Sequence, residues 1–82
     1  MLTVRYYAAA RAAAGVSEEK LTPEQAPTLG ALRADLAARH GERLATILGV
    51  ASFLVDGTSQ RNLDAPLPAD ATVDVLPPFA GG

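Results

Sequence analysis

The side chains able to do covalent chemistry are few in this sequence, and they form no recognisable catalytic set. Nucleophilic catalysis needs a nucleophile beside a base that a third group orients. His40 is the only histidine, and the three serines, Ser17, Ser52 and Ser59, lie in no nucleophile motif. The absence of cysteine excludes disulfides and thiol nucleophiles, and no zinc or calcium ligand spacing is present. We therefore expect no active site within the folded domain, and we interpret His40 as a partly exposed residue at a helix end.

The other reactive group is the main-chain carboxylate after the closing segment LPPFAGG. Pro77 and Pro78 lack amide donors, so they end strand pairing and hold the chain extended. Phe79 provides an apolar group for docking, whereas Gly81 and Gly82 can enter a channel too narrow for any other residue. Six extended residues reach roughly 20 Å. The pattern predicts an arm, the tail 77–82, that presents the Gly82 carboxylate to another protein. Two alternatives stay open: the end of the chain has no function, or the prolines only end the strand.

Alternation and turn signals predict the strands that position this arm. Apolar residues alternate over 2–8 and 72–76, which indicates half-buried strands, and 17–21 is predicted to be an exposed edge strand. The run 50–55 is apolar apart from its serine and is interpreted as a buried strand. Asp56-Gly57 then predicts a type I′ hairpin turn into a short return strand at 58–61.

One amphipathic helix dominates the helical signals. Thr28 is a suitable N-cap, the leucines at 29, 32 and 36 share one face, and Gly41 is a natural end. A second short helix is predicted at 42–48, and AAARAAAG is interpreted as a loop or short helical turn around Arg11, ended by Gly15. These elements predict a two-layer α+β domain over residues 1–76, in which one main helix crosses a mixed sheet of four to five strands. An extended tail follows at 77–82.

The composition and net charge of the chain limit the classes of partner that it can have. The chain has 82 residues, 49% hydrophobic and 20% charged, with a formal net charge of −2, which indicates one small globular domain. The mild negative charge argues against nucleic acid as a partner. No apolar run approaches the roughly 20 residues of a membrane span, and the first residues lack a secretory pattern. We therefore expect a cytoplasmic protein without a membrane partner.

The sequence resembles the ubiquitin-like sulfur carriers of the MoaD/ThiS family, and within that family the small subunits of molybdopterin synthase. VRYYAAARAAAG is similar to the family's opening strand and loop, TLGALRADLAARHG to its helix, and FLVDGTSQ to its central hairpin. ATVDVLPPFAGG is similar to its closing strand and Gly-Gly tail. Members often carry a glutamate just after the position of Arg11, where this chain has Ala12. The resemblance implies a β-grasp fold, in which the first and last strands are neighbours.

The resemblance also implies a function for the tail. A partner enzyme would use Mg-ATP to adenylate the carboxylate of Gly82, and a persulfide sulfur donor would convert it to a thiocarboxylate. The tail would then donate sulfur to precursor Z in the large subunit of molybdopterin synthase, within a heterotetramer. The chain itself would bind no cofactor or metal. The residues expected to contact partners are Gly81, Ala80, Phe79, Pro78, Pro77 and Arg11, and for Arg11 the alternative of a solvated loop residue stays open.

Three other functions remain open at this point. Sulfur carriers for thiamine or cysteine biosynthesis also end in Gly-Gly on the same fold. A ubiquitin-like protein modifier would share the adenylation step but form isopeptide bonds. A plain β-grasp interaction module would have an inert tail.

Overall fold

The computed structural model describes residues 1–78 of the chain. Five strands, three α-helices and one short 3-10 helix follow one another along these residues. In chain order they are β1 (Leu2–Tyr6), α1 (Ala8–Ala14), β2 (Glu18–Leu21), the 3-10 helix (Pro23–Gln25), α2 (Leu29–His40), α3 (Glu42–Leu48), β3 (Ser52–Val55), β4 (Thr58–Gln60) and β5 (Thr72–Leu76).

The strands form one mixed sheet in the order β2-β1-β5-β3-β4. β1 and β5 are parallel, with Val4 opposite Val73 and Tyr6 opposite Val75. The other three pairings are antiparallel. The expected adjacency of first and last strands is confirmed, and it makes β5 the central strand of five.

One face of the sheet is covered by helices. Because side chains alternate along a strand, this face carries the buried Leu2, Val4 and Tyr6 of β1 and the buried Val73 and Val75 of β5. The helical leucines complete the same core, and the expected burial of Phe53 is confirmed. The fully buried leucines of the helices are Leu29, Leu32, Leu36, Leu44 and Leu48.

The main helix begins and ends where its caps predict. The side chain of Thr28 accepts a hydrogen bond of 3.1 Å from the amide of Ala31, a cap that typically stabilises a helix by ~1 kcal/mol. At the other end Gly41 has φ of 93°, a value that favours glycine. α2 therefore starts and stops within one residue of the positions that the sequence indicates.

The Asp56-Gly57 turn is confirmed, with φ of 49° and 84° at the two residues, as a type I′ turn requires. The alanine-rich segment is a true helix that ends at Gly15, whose φ is 80°. The first strand is shorter than predicted because Ala8, with φ of 50°, already begins α1.

The prediction of a buried strand from residue 50 was wrong at its start. β3 begins at Ser52, and Val50 is 59% exposed. The amide of Val50 donates to the carbonyl of Ile47 at 3.1 Å, so Val50 belongs to the turn that closes α3. An apolar run alone did not distinguish this turn from the strand that follows it.

Candidate functional site

The predicted arm begins directly after the central strand of the sheet. β5 is hydrogen-bonded to β1 on one side and to β3 on the other. Pro77 is buried and Pro78 is exposed, so the chain leaves the domain between these two prolines. The remaining predicted site residues, Phe79, Ala80, Gly81 and Gly82, lie outside the described residues.

Parallel pairing brings α1 to the edge of the sheet from which the arm departs. Parallel strands have their carboxyl ends at the same edge, so α1, which follows β1, starts where Pro77 follows β5. Arg11 is exposed on α1 and lines a cavity of about 370 Å³. Within residues 1–78 its side chain makes no hydrogen bond. The structure thus places Arg11 near the edge of the sheet from which the arm departs.

The second face of the sheet carries no helix. Strand alternation places Arg5, Asp74, Leu54 and Leu76 on it, among hydroxyl-bearing side chains. The guanidinium of Arg5 donates to both carboxylate oxygens of Asp74, at 2.6 and 3.1 Å. This hydrogen bond, followed by the charge of Asp74, raises the pKa of Arg5. A central ion pair with half-buried leucines beside it therefore forms the open face next to the arm.

A cluster of charged residues that sequence reasoning missed joins three elements on the other side of the sheet. Nε2 of His40 donates to Oε2 of Glu19 at 2.6 Å, because a carboxylate can only accept. Arg39 donates to the other oxygen of Glu19 and, at 2.8 Å, to Asp35. The ring of Tyr6 meets the imidazole edge to face, with centroids 5.8 Å apart.

This cluster shifts two pKa values. Burial raises the pKa of Tyr6, and the charge of Glu19 adds to the effect. Burial acts to raise the pKa of Glu19 as well, but hydrogen bonds from Arg39 and His40 outweigh it and hold this pKa below its usual range. His40 is the last residue of α2 and its side chain is 16% exposed, so its interpretation as a partly exposed residue at a helix end is confirmed. Its hydrogen bond to Glu19 was not predicted. It fastens the end of α2 to the edge strand β2.

The contacts of this cluster connect β1, β2 and α2, with the hydroxyl of Tyr6 at 3.4 Å from Nε2 of His40. Tyr6 is a buried phenol, and the described residues place no serine or threonine hydroxyl within hydrogen-bond distance of His40. Nor do residues 1–78 contain a group of three or more potential metal ligands among histidine, cysteine, aspartate and glutamate. In that same part of the chain no helix has the length and apolar character to cross a bilayer.

A mixed sheet with parallel first and last strands, crossed by one main helix and continued by a tail from its central strand, defines a ubiquitin-like β-grasp domain. The chain belongs to the ThiS family, whose model matches residues 4–82. The match includes the Gly-Gly end of the sequence. The resemblance to ubiquitin-like sulfur carriers is thereby confirmed.

Similar solved structures agree with this assignment. The putative molybdopterin converting factor subunit 1 of Pyrococcus furiosus is 26% identical, with a TM-score of 0.74 over 94% of this chain and 95% of that one. A chain from the complex of subunits 1 and 2 of the Helicobacter pylori molybdopterin-converting factor is 26% identical. Its TM-score is 0.69 over 99% of this chain and 97% of that one. SAMP1 of Haloferax volcanii, at 19% identity and a TM-score of 0.77 over 99% and 98%, shows the fold alone. No match was found among curated proteins.

Proposed function

We propose that this chain is the sulfur-donating small subunit of a molybdopterin synthase, and that its reactive group is the carboxylate of Gly82. The observation that carries the proposal is the position of the tail. It follows the central strand of the sheet, and the ThiS family match runs through it to residue 82. The two solved relatives at 26% identity that are named for the molybdopterin-converting factor favour this branch of the family.

The proposed chemistry begins with a carboxylate that resists nucleophiles because it is anionic and lacks a leaving group. An oxygen of Gly82 attacks the α-phosphorus of Mg-ATP on the partner enzyme, pyrophosphate leaves, and an acyl-adenylate forms. The terminal sulfur of a persulfide then attacks the acyl carbon, and AMP leaves. A thiol then attacks the donor's sulfur in the resulting acyl disulfide. The old S–S bond breaks, the donor leaves as a disulfide with this thiol, and a thiocarboxylate remains on Gly82.

The domain's own contribution is to position this group and to be recognised. β5 is held by neighbours on both sides, so the tail starts from a fixed base. In the proposal, Gly81 threads the partner's channel while Phe79 and Ala80 contact its walls. ATP and magnesium belong to the adenylating enzyme, and the sulfur acceptor belongs to the large subunit, so the active sites are on other proteins.

The proposed large-subunit partner has a counterpart among the solved structures. The Helicobacter pylori structure is a complex of subunits 1 and 2 of the molybdopterin-converting factor. By analogy, we propose that the present chain inserts its tail into a large subunit, in a heterotetramer that acts on precursor Z.

ATP–pyrophosphate exchange with the cognate adenylating enzyme tests the proposed reactive group. We expect exchange with the full chain and none with a chain that lacks Gly82. A second variant with one alanine appended after Gly82 keeps every native residue but moves the carboxylate, and it should also be inactive. Unchanged thermal unfolding of both variants is the control for folding. Full exchange by the Gly82 deletion would contradict the proposal.

The molybdopterin branch needs a separate assay. The thiocarboxylated chain, mixed with the large subunit and precursor Z, should yield the dithiolene product. Sulfur transfer to a thiamine or cysteine precursor, without transfer to precursor Z, would assign the chain to another branch of the sulfur carriers.

A further inference from the structure

A groove of about 290 Å³ lies between α2, the β3–β4 hairpin and the segment that follows β4. Arg33 and Arg61 contribute its charged side chains, and no acidic residue lines it. Phe53, which is almost fully buried, and the half-buried Leu63 supply apolar surface. The remaining lining residues are Ala51, Ser52, Ser59 and Gln60.

The two arginines of this groove differ from those that the fold uses. Arg5 and Arg39 each form ion pairs with carboxylates. By contrast, neither Arg33 nor Arg61 makes an ion pair or a side-chain hydrogen bond within residues 1–78. In a chain of net charge −2, the groove is therefore a local positive site with its donors available. A guanidinium binds carboxylates through two parallel hydrogen bonds, so acidic groups are the matching ligand.

The groove lies at the edge of the sheet from which the tail departs. Ser52, one of its lining residues, is paired with Leu76, the last residue of β5, and paired residues are about 4.5–5.5 Å apart between Cα atoms. Gln60 at the end of β4 is opposite Phe53, so Arg61 follows at this same edge. An enzyme that takes up the tail must approach this edge and comes within reach of both arginines.

We propose that this groove binds an acidic segment, one or two aspartate or glutamate side chains, of the enzyme that adenylates the tail. The inference rests on the proposed function and adds a recognition site to it. The volume decides between ligands, because about 290 Å³ is at or below the lower end of the roughly 300–1,000 Å³ typical of small-molecule sites. Carboxylate side chains are small enough for this space, and they match its two guanidinium groups.

Charge reversal tests the groove with a matched control. The variants are Arg33→Glu, Arg61→Glu and their combination, and the control is Arg43→Glu, an exposed position of α3 outside the groove. Glutamate at 33 is compatible with the first half of α2, near its positive end. The readout is ATP–pyrophosphate exchange as a function of carrier concentration. Urea unfolding reports whether each variant is folded.

We expect the double variant to raise the KM for the carrier by about tenfold or more, because the introduced glutamates would face the acidic segment and like charges at an interface repel each other. The kcat should stay within about twofold, because the chemistry of the tail is unchanged. Arg43→Glu should leave both values near those of the unmodified chain. Added salt should raise KM for the unmodified chain by screening the attraction, and it should lower KM for the double variant by screening the new repulsion.

The outcomes separate this inference from the proposed function. An unmodified chain that is never adenylated contradicts the proposed function itself. If the unmodified chain is active and the folded double variant has the same KM and kcat as Arg43→Glu, the proposed binding site in the groove is wrong. A loss confined to kcat also overturns it. So do saturable NMR shifts at Arg33 and Arg61 when ATP alone is added without the enzyme, because the ligand would then be the nucleotide.

Discussion

Arg5 on β1 and Asp74 on β5 are register partners in the parallel pair at the centre of the sheet, and their side chains form a two-point ion pair on its open face. The carboxylate is the more protected partner, since Asp74 is 6% exposed while the side chain of Arg5 is 46% exposed. The aliphatic part of Arg5 and its guanidinium therefore shield a charge in the strand that leads into the tail.

The first prediction concerns this shield. Arg5→Gln should lower the free energy of unfolding by more than a substitution of an unpaired exposed arginine does, because a nearly buried carboxylate loses its charged donor. Urea unfolding measures the loss, and Arg43→Gln, which removes an exposed arginine without an ion pair in the described residues, is the control. An equal effect of the two substitutions would show that the ion pair contributes nothing to stability.

The second prediction concerns Glu19, which receives hydrogen bonds from His40 and Arg39. Glu19→Gln should cost about 1–2 kcal/mol at neutral pH, because two charge-assisted hydrogen bonds weaken at a site that is only partly exposed. The matched control is Glu24→Gln in the exposed 3-10 helix. For a domain of this size, 1 kcal/mol corresponds to a change in Tm of about 4–8 °C.

The third prediction is the pH dependence of the same site. The pKa of Glu19 is lower in the folded chain than in the unfolded chain, so its stabilisation is present above the unfolded value of about 4.3 and is lost as the pH falls through the folded value. Below pH ~4.3 the difference in unfolding free energy between the unmodified chain and Glu19→Gln should therefore shrink. A difference that grows on acidification would contradict this assignment. The facing groups, Tyr6, Asp35, Arg39 and His40, are the same in both chains.

The fourth prediction concerns the close approach of α2 to the loop before β5. The amide of Gly30 donates to the carbonyl of Leu63 at 2.7 Å, and a Cβ at Gly30 would lie 2.9 Å from that oxygen. Gly30→Ala should destabilise the domain by about 1–3 kcal/mol, since the backbone must move. A Cβ at Gly49 meets nothing closer than 3.4 Å, so Gly49→Ala should be neutral or slightly stabilising. Thermal unfolding compares the pair, and equal Tm values would refute the contact.

Much of this fold follows from local patterns that involve few residues. The leucine spacing and Thr28 determined α2, and Asp56-Gly57 determined the β3–β4 hairpin, because each signal acts within one or two turns of chain. The adjacency of β1 and β5 came only from the resemblance to a family, since periodicity says nothing of which strands pair. Val50 shows where such local patterns fail, because an apolar run does not reveal which of its residues lie in a turn and which in a strand.

The features that the sequence did not reveal depend on contacts between residues far apart along the chain. His40 contacts Glu19, 21 residues away along the chain, and a single sequence gives no signal for such a pair. Arg33 and Arg61 likewise share a groove because α2 crosses the sheet. The tail residues themselves were identified from their order in the closing segment and from the resemblance to a family, and their role stays a prediction.

Intact-mass measurement tests the central claim most directly. The chain is incubated with its adenylating enzyme, Mg-ATP and a persulfide sulfur donor, and omission of ATP is the control. We predict a mass increase equal to the exchange of one oxygen for one sulfur, located by fragmentation at Gly82 and absent without ATP. An unchanged mass with active enzymes, or covalent attachment of the chain to lysines of other proteins in place of this increase, would contradict the account.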